Sequence, residues 1–147
     1  MTKQLRVLTR ANILDAEDRQ TEWVDVPEWG GRVLVRSLEG LERDRYEASM
    51  VRYGRNAKGV PEIEGFSVDN LRARLAAMTI IDEAGANLFT ESDVLILGHK
   101  SAAALERVFK VAQRLSNLTD ADVEELKQQL GNARNDASGS GSPAISA

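Results

Sequence analysis

The side chain best suited to acid–base chemistry is His99, the only histidine among 147 residues. An imidazole can move protons near neutral pH, but catalysis also needs a nucleophile or a carboxylate held beside it. His99 follows Gly98, just before a helix that Ser101 can begin. This setting indicates an exposed loop residue, and we do not expect His99 to be catalytic.

Carboxylates form three clusters that could in principle hold a cation. They are Asp15 with Glu17 and Asp18, Asp82 with Glu83, and Asp120 with Asp122, Glu124 and Glu125. The calcium loop of an EF-hand needs alternating oxygen ligands, a central glycine and a terminal glutamate, and none of the clusters has that spacing. The third cluster lies where a helix is expected to begin, and the helix dipole stabilises negative charge there. We therefore predict no metal site.

The remaining signatures of chemistry are missing from the sequence. There are no cysteines, which excludes a disulfide framework, a thiolate metal site and a cysteine nucleophile. The glycines lie at turns, and they form neither the GxGxxG pattern of dinucleotide binding nor a phosphate-binding P-loop. We predict a protein that is not an enzyme, with no catalytic residues and no cofactor.

Composition limits the partners. An apolar fraction of 42% and a charged fraction of 29% are typical of one globular domain. The net charge is -4, and the sequence contains no cluster of basic residues. Without a basic surface we expect no binding to nucleic acid. No apolar run approaches the ~20 residues that span a bilayer, and the first twenty residues lack the apolar centre of a signal peptide. We expect no membrane partner and a protein that stays where it is made.

The elements predicted from periodicity and turn chemistry give a mainly α-helical α+β fold. A small N-terminal β-hairpin is followed by four or five amphipathic helices in a single domain over residues 1–130. The hairpin is predicted at about 22–37, the helices at about 38–52, 67–77, 91–97, 101–115 and 120–130, and a flexible Gly/Ser-rich tail at 131–147. The hairpin rests on the alternation of Val33 and Val35 with their neighbours and on the paired Gly30 and Gly31.

Three shorter segments carry further predictions. A weak helical pattern runs from about Leu8 to Ala16, with Thr9 or Asn12 as its start. In the 38–52 helix, Leu41, Ala48 and Val51 are expected to share the apolar face. Residues 53–65 contain three glycines and a proline, which favours an exposed loop. Residues 78–89 favour a second small hairpin, because a β-branched run is followed by a turn.

The helix at 101–115 has the clearest pattern in the chain. Five apolar residues recur at helical spacing on one face, and charged residues occupy the other: Leu105, Val108, Phe109, Ala112 and Leu115. The following helix adds Val123 and Leu126, and Trp29 lies beside the hairpin turn. These eight residues are the candidate surface for a client or for self-association. The alternative is that the 105–115 face is simply the core of the domain.

Several stretches of the sequence resemble the tail assembly chaperones of long-tailed, siphophage-type bacteriophages. The resemblance covers roughly Trp23 to Leu130, and its most specific pieces are VPEWGG, the turn leading to LFTESDV, and KSAAALERVF. These pieces are packing and turn motifs. They identify a family and carry no catalytic residue.

The resemblance implies a non-enzymatic role in the cytoplasm of an infected bacterium. Members of the family bind the apolar, helical tape measure protein, keep it soluble and promote polymerisation of the tail tube around it. Contact with the major tail tube protein would come through a longer form made by a programmed frameshift, and several copies along one client imply a homo-oligomer. The finished virion is expected to lack the protein. The alternative is a structural virion protein of the tail tube or of the head–tail connector.

Overall fold

A computed structural model describes residues 5–118, 121, 124–129 and 131. It is an α+β structure in which an N-terminal β-hairpin precedes most of the helices, as predicted. The helices are α1 (Arg10–Asp15), α2 (Gly40–Ala48), α3 (Leu71–Thr79), α4 (Val94–Leu97) and α5 (Ala102–Leu115). The strands are β1 (Thr21–Val26), β2 (Gly31–Arg36), β3 (Val51–Arg55), β4 (Pro61–Phe66) and β5 (Ile80–Ile81). Residues 124–129 are also helical.

The first hairpin is the scaffold of the main sheet. Strands β1 and β2 pair antiparallel from Thr21 with Arg36 to Val26 with Gly31, and β5 pairs with the other edge of β2. A short 3-10 turn, Pro27–Trp29, joins β1 to β2 and ends at Gly30, whose φ of 76° lies in the left-handed region that favours glycine. Valine side chains on one face of the hairpin point into the core, and the other face is directed outward.

Helix α5 packs on the inward face of the hairpin, where it lies on β1 and β2, and α3 packs against α5. Their buried positions include several alanines, whose small side chains let the two helix backbones approach closely. The hydroxyl of the buried Thr79 donates to the Leu75 carbonyl at 2.7 Å, so this polar group is satisfied inside the core. Further core residues come from β1, β2, α2 and the turn after it, β5, α4 and the segment after α5: Val24, Val26, Val35, Tyr46, Met50, Ile80, Val94, Leu97 and Leu118.

The segment at 53–65 was predicted as a loop, and that prediction is wrong. Strands β3 and β4 form a second antiparallel hairpin with a register shift between Arg52 and Tyr53. The Asn56 side chain accepts from the backbone N–H groups of Lys58 and Val60, and Gly59 adopts a φ of 76°, so the glycine and asparagine signals mark a tight turn. The proline stands at the first position of an edge strand, where its missing N–H is tolerated.

Helix α2 differs from the prediction in length and in its buried face. It ends at Ala48, and Val51 already belongs to β3. Ala48 and Leu41 are exposed, whereas Tyr46 and Met50 point into the core. Tyr46 lies in the helix and Met50 in the turn that follows it, so the buried side chains are not the expected Leu41, Ala48 and Val51. Tyr46 is an aromatic residue that the aliphatic pattern did not count.

Other boundaries shift by a few residues. The predicted 67–77 helix begins at Leu71, after Asn70 in the left-handed region with a φ of 57°. The residues after it, Ile80–Ile81, form β5 and pair mainly with β2. Of the hairpin predicted at 78–89, the structure has a single bridge, between Ile81 and Asn87. Helix α1 forms with Thr9 as its N-cap, where Thr9 and Asn12 bond reciprocally. Most of the predicted 131–147 tail, and parts of the 120–130 helix, lie outside the described residues.

No helix among the described residues is long and apolar enough to cross a membrane.

The buried Tyr46 makes stability depend on pH in the alkaline range. Burial raises the pKa of Tyr46 above the ordinary value of a tyrosine. Above pH about 10 the unfolded chain loses this proton before the folded protein does, so the free energy of unfolding falls as pH rises. We expect Tyr46→Phe to lose less stability than the wild type as the pH is raised through that range, as measured by urea unfolding at each pH. An equal loss in both proteins would contradict this.

Candidate functional site

The predicted apolar face of the 101–115 helix lies in the core. Leu105, Val108, Phe109 and Ala112 are all buried, and α5 packs through them on α3 and the sheet. Leu115 is partly buried and lies against the same core. Of the two open alternatives for this face, the structure supports the core. In the folded protein these side chains are not a free surface.

The other candidate residues have different surroundings. Trp29 and Leu126 are partly buried and pack against the core, and Val123 lies outside the described residues. His99 is exposed in the turn between α4 and α5, as expected from its sequence setting. The Asp82 carboxylate accepts from the N–H groups of Ala84 and Ala86 and so stabilises its own turn. Within the described part of the chain, no three histidine, cysteine or carboxylate side chains are grouped so as to hold a metal.

The structure instead reveals an apolar groove at the turn end of the first hairpin. The groove has a volume of about 710 Å³ and is lined by Glu28, Trp29, Leu88, Phe89, Asp93, Ile96, Leu97 and Lys100. Leu88 is 53% exposed and Ile96 is 68% exposed, and Leu95 stands beside them at 75%. Exposed side chains of this size gathered beside one another are typical of a site for a protein partner. We refer to these eight lining residues as the groove.

One wall of the groove is tied to helix α5. The Arg107 guanidinium donates from Nε to both carboxylate oxygens of Glu28 at 2.8 Å, and this contact lowers the pKa of Glu28. Beside Glu28, Trp29 packs on the core with its indole Nε1 buried and without a hydrogen-bond partner. The turn that carries both residues is therefore anchored from two sides, by an ion pair and by the indole.

The other wall is the single turn of α4. Val94 and Leu97 are buried there, so Leu95 and Ile96 must point outward. The chain enters α4 through a reciprocal cap in which Thr90 donates its N–H to the Asp93 carboxylate at 2.8 Å. Of the residues that line the groove, the sequence prediction named only Trp29, although a signal for the α4 wall was present. Four consecutive apolar residues in a one-turn helix cannot all be buried on one face.

The Asn70 side chain bonds to α4 and leaves no room for a side chain at Gly98. The Asn70 side chain donates from Nδ2 to the Val94 carbonyl at 2.9 Å, and a Cβ at position 98 would stand 2.1 Å from Asn70 Oδ1. We expect Gly98→Ala to displace this amide and to cost about 1 kcal/mol of unfolding free energy, the typical net worth of a hydrogen bond. Gly40→Ala is the matched control, because nothing lies within 4 Å of a Cβ at that helical position. Equal urea midpoints for the two variants would contradict the expectation.

A second apolar surface lies in the N-terminal arm, which we define as residues 5–14. Its side chains Leu5, Val7, Leu8, Ile13 and Leu14 are all exposed, and α1 buries none of its residues. The arm is followed by Arg19, which donates to the Ser37 carbonyl at 2.9 Å and to Glu42 at 2.5 Å. The base of the arm is thus fixed to the domain, while the large apolar side chains of the arm are exposed.

The arrangement of these surfaces suits binding of a polypeptide. A largely apolar groove whose lining also includes charged residues matches the apolar stripe and flanking charges of an amphipathic helix. Its volume falls in the range of ordinary binding clefts and can take several side chains at once. The groove offers a partner shape and apolar area.

Comparison with known proteins identifies a family. A family model described as phage tail assembly chaperone matches residues 9–129. Neither a curated protein nor a solved structure matches the chain significantly. The matched span includes the first hairpin, the groove and α3 to α5, and it covers most of the 147 residues. The chain therefore belongs to the phage tail assembly chaperone family.

Proposed function

We propose that the protein is a non-enzymatic chaperone that binds the phage tape measure protein, keeps it soluble and promotes polymerisation of the tail tube around it. Membership of the family supports a role in tail assembly. The single observation that supports the mode of binding is the groove, because Leu88 and Ile96 are exposed there beside buried core residues. A helical client can place one apolar stripe against these side chains.

The energetics favour a client that is itself helical. A helix already satisfies its backbone hydrogen bonds, so only its apolar side chains need cover, and each large side chain removed from water gains about 1.5–3 kcal/mol. Three charged residues, Glu28, Asp93 and Lys100, also line the groove. One groove covers only a short stretch of a long client. Several copies along one client therefore form part of the proposal.

The remaining features of the proposal are those suggested by membership of the family. The protein acts in the cytoplasm of the infected host, contacts the major tail tube protein through a frameshifted longer form, and is absent from the finished virion. A structural role in the tail tube or in the head–tail connector is the competing function. Rings of tube subunits usually need long strands, and the longest described strands here have six residues.

Co-expression with the tape measure protein tests the proposal. We expect the tape measure protein to move from the insoluble to the soluble fraction and to co-purify with this chain. An unrelated small acidic protein expressed at the same level serves as the control. If the tape measure protein aggregates to the same extent with either partner, the proposed function is wrong. Finding the chain in purified virions by mass spectrometry would favour the structural alternative.

A further inference from the structure

Arg36 joins the main sheet to the turn that follows β5. We call this turn, residues 82–87, the β5 turn. Arg36 is the last residue of β2, and its guanidinium donates from Nη1 to the Gly85 carbonyl at 3.0 Å and from Nη2 to the side-chain oxygen of Asn87 at 3.4 Å. The bonded residues are 49 and 51 positions apart in the sequence. These two bonds therefore hold the β5 turn against a distant part of the chain.

The β5 turn also has bonds of its own. The Asp82 carboxylate accepts from the N–H groups of Ala84 and Ala86 at 2.8 and 2.9 Å. An aspartate that bonds the backbone just after it in this way stabilises a turn locally. The bonds within the turn determine its shape, whereas the bonds from Arg36 determine how it is oriented on the sheet.

Two groove residues follow the β5 turn directly. Leu88 and Phe89 both line the groove, and Leu88 is 53% exposed, so packing holds its side chain only in part. The Leu88 N–H donates to the Ile80 carbonyl at 3.2 Å, and Asn87 beside it accepts from Arg36. The direction of the Leu88 side chain therefore depends on backbone anchors, to which Arg36 contributes.

Stability alone does not explain a guanidinium at this position. The Nε atom of Arg36 is buried, and it has no hydrogen-bond partner in the part of the chain that the structure describes. Taking a charged group out of water is costly, and only those polar atoms that find partners recover the cost. A long apolar side chain can often replace such a group without loss of stability. It could not, however, bond to two oxygens of the β5 turn.

We propose that Arg36 is a positioning residue of the groove. By orienting the β5 turn, it places Leu88 and Phe89 where a helical client meets them. Arg36 is not one of the eight groove residues and acts through these two side chains. The effect on client binding rests on the proposed function, whereas the orientation of the turn is a property of the chain alone.

Hydrogen exchange of the full-length protein, followed residue by residue by NMR, tests the orientation of the turn. Arg36→Met keeps a long unbranched side chain and removes the donors. We expect the Leu88 amide to exchange about tenfold faster or more, because opening of this segment then costs less free energy. The urea midpoint should stay close to that of the control. A purely structural role would instead lower the midpoint and speed exchange equally throughout the core, and that result would overturn the proposal.

Arg32→Met is the matched control. Arg32 lies in the same strand, but its guanidinium is over the Trp23 ring, 4.2 Å from the ring centre. Equal exchange of the Leu88 amide in the two variants would also overturn the proposal. If circular dichroism shows that Arg36→Met is unfolded, Arg36→Lys takes its place, because an ammonium group keeps the charge without the planar pair of donors.

Co-expression with the tape measure protein tests the link to the groove. We expect Arg36→Met to leave more of the client insoluble than Arg32→Met does. Faster exchange at Leu88 together with wild-type solubilisation would overturn the link between Arg36 and client binding. If the wild type itself fails to solubilise the client, the proposed function is wrong. The exchange experiment still decides in that case whether Arg36 orients the β5 turn, so the two failures are distinguishable.

Discussion

Leu105→Ala is expected to lower the free energy of unfolding by about 2–5 kcal/mol, the range for truncating a buried leucine. Leu105 is 5% exposed in α5 and belongs to the core cluster that joins α3, α5 and the sheet. Truncation removes apolar contacts and leaves a cavity that the surrounding helices and strands cannot fully close. Since leucine and alanine have similar helix propensities, the loss comes from packing.

Leu95→Ala is the matched control. The same atoms are removed from a helical leucine, but Leu95 lies on the outer side of α4 and is largely exposed. We expect a change within about 0.5 kcal/mol, as for most surface substitutions. Urea unfolding followed by circular dichroism measures both variants, with an unchanged m value as evidence that the unfolded state is the same. Equal losses in the two variants would place Leu105 outside the core.

Leu88→Asp is expected to weaken binding of the tape measure protein by about tenfold to a hundredfold. A helical client that covers Leu88 gains the transfer of an apolar side chain from water, and an aspartate at this position must instead be desolvated or keep the groove hydrated. Each 1.4 kcal/mol lost is a factor of ten in affinity. In co-expression the variant should leave much of the client in the insoluble fraction.

Leu41→Asp controls for the added charge. Leu41 is 55% exposed, nearly the same as Leu88, but it lies in the first turn of α2 and does not line the groove. Both variants should retain the wild-type circular dichroism spectrum. If Leu41→Asp impairs solubilisation as strongly as Leu88→Asp, the effect comes from general surface charge. If neither does, the client binds elsewhere on the chaperone.

The local elements could be predicted because local residues determine them. Helix α5 combines a serine cap, whose Ser101 hydroxyl accepts from the Ala104 N–H at 3.2 Å, with an unbroken apolar stripe. The first hairpin combines alternation with paired glycines. The hairpin of β3 and β4 was missed because turn residues look alike in loops and in hairpins, and because its strands pair across a register shift. Local patterns do not specify such pairing.

The candidate site shows the limits of amphipathicity as a guide. A strong apolar stripe indicates that one face of a helix is covered, but not what covers it. In α5 that face packs in the core of the domain. The groove arises from residues in three separate segments, which meet only because β5 and the 80–89 turn bring Leu88 near the hairpin turn and α4. The exposure of Leu88 and Ile96 depends on that tertiary placement, so periodicity could not predict it.

The position of Trp29 allows binding in the groove to be followed by intrinsic tryptophan fluorescence. The chain has two tryptophans, of which Trp23 lies on the outer face of β1 beneath the Arg32 guanidinium, 4.2 Å from the ring centre. Replacing Trp23 with phenylalanine leaves Trp29 as the sole indole, and that indole lines the groove. Because indole emission shifts with the polarity around it, a segment entering the groove changes the fluorescence of an unlabelled protein. Occupancy of the site can thus be followed in real time without attaching a dye.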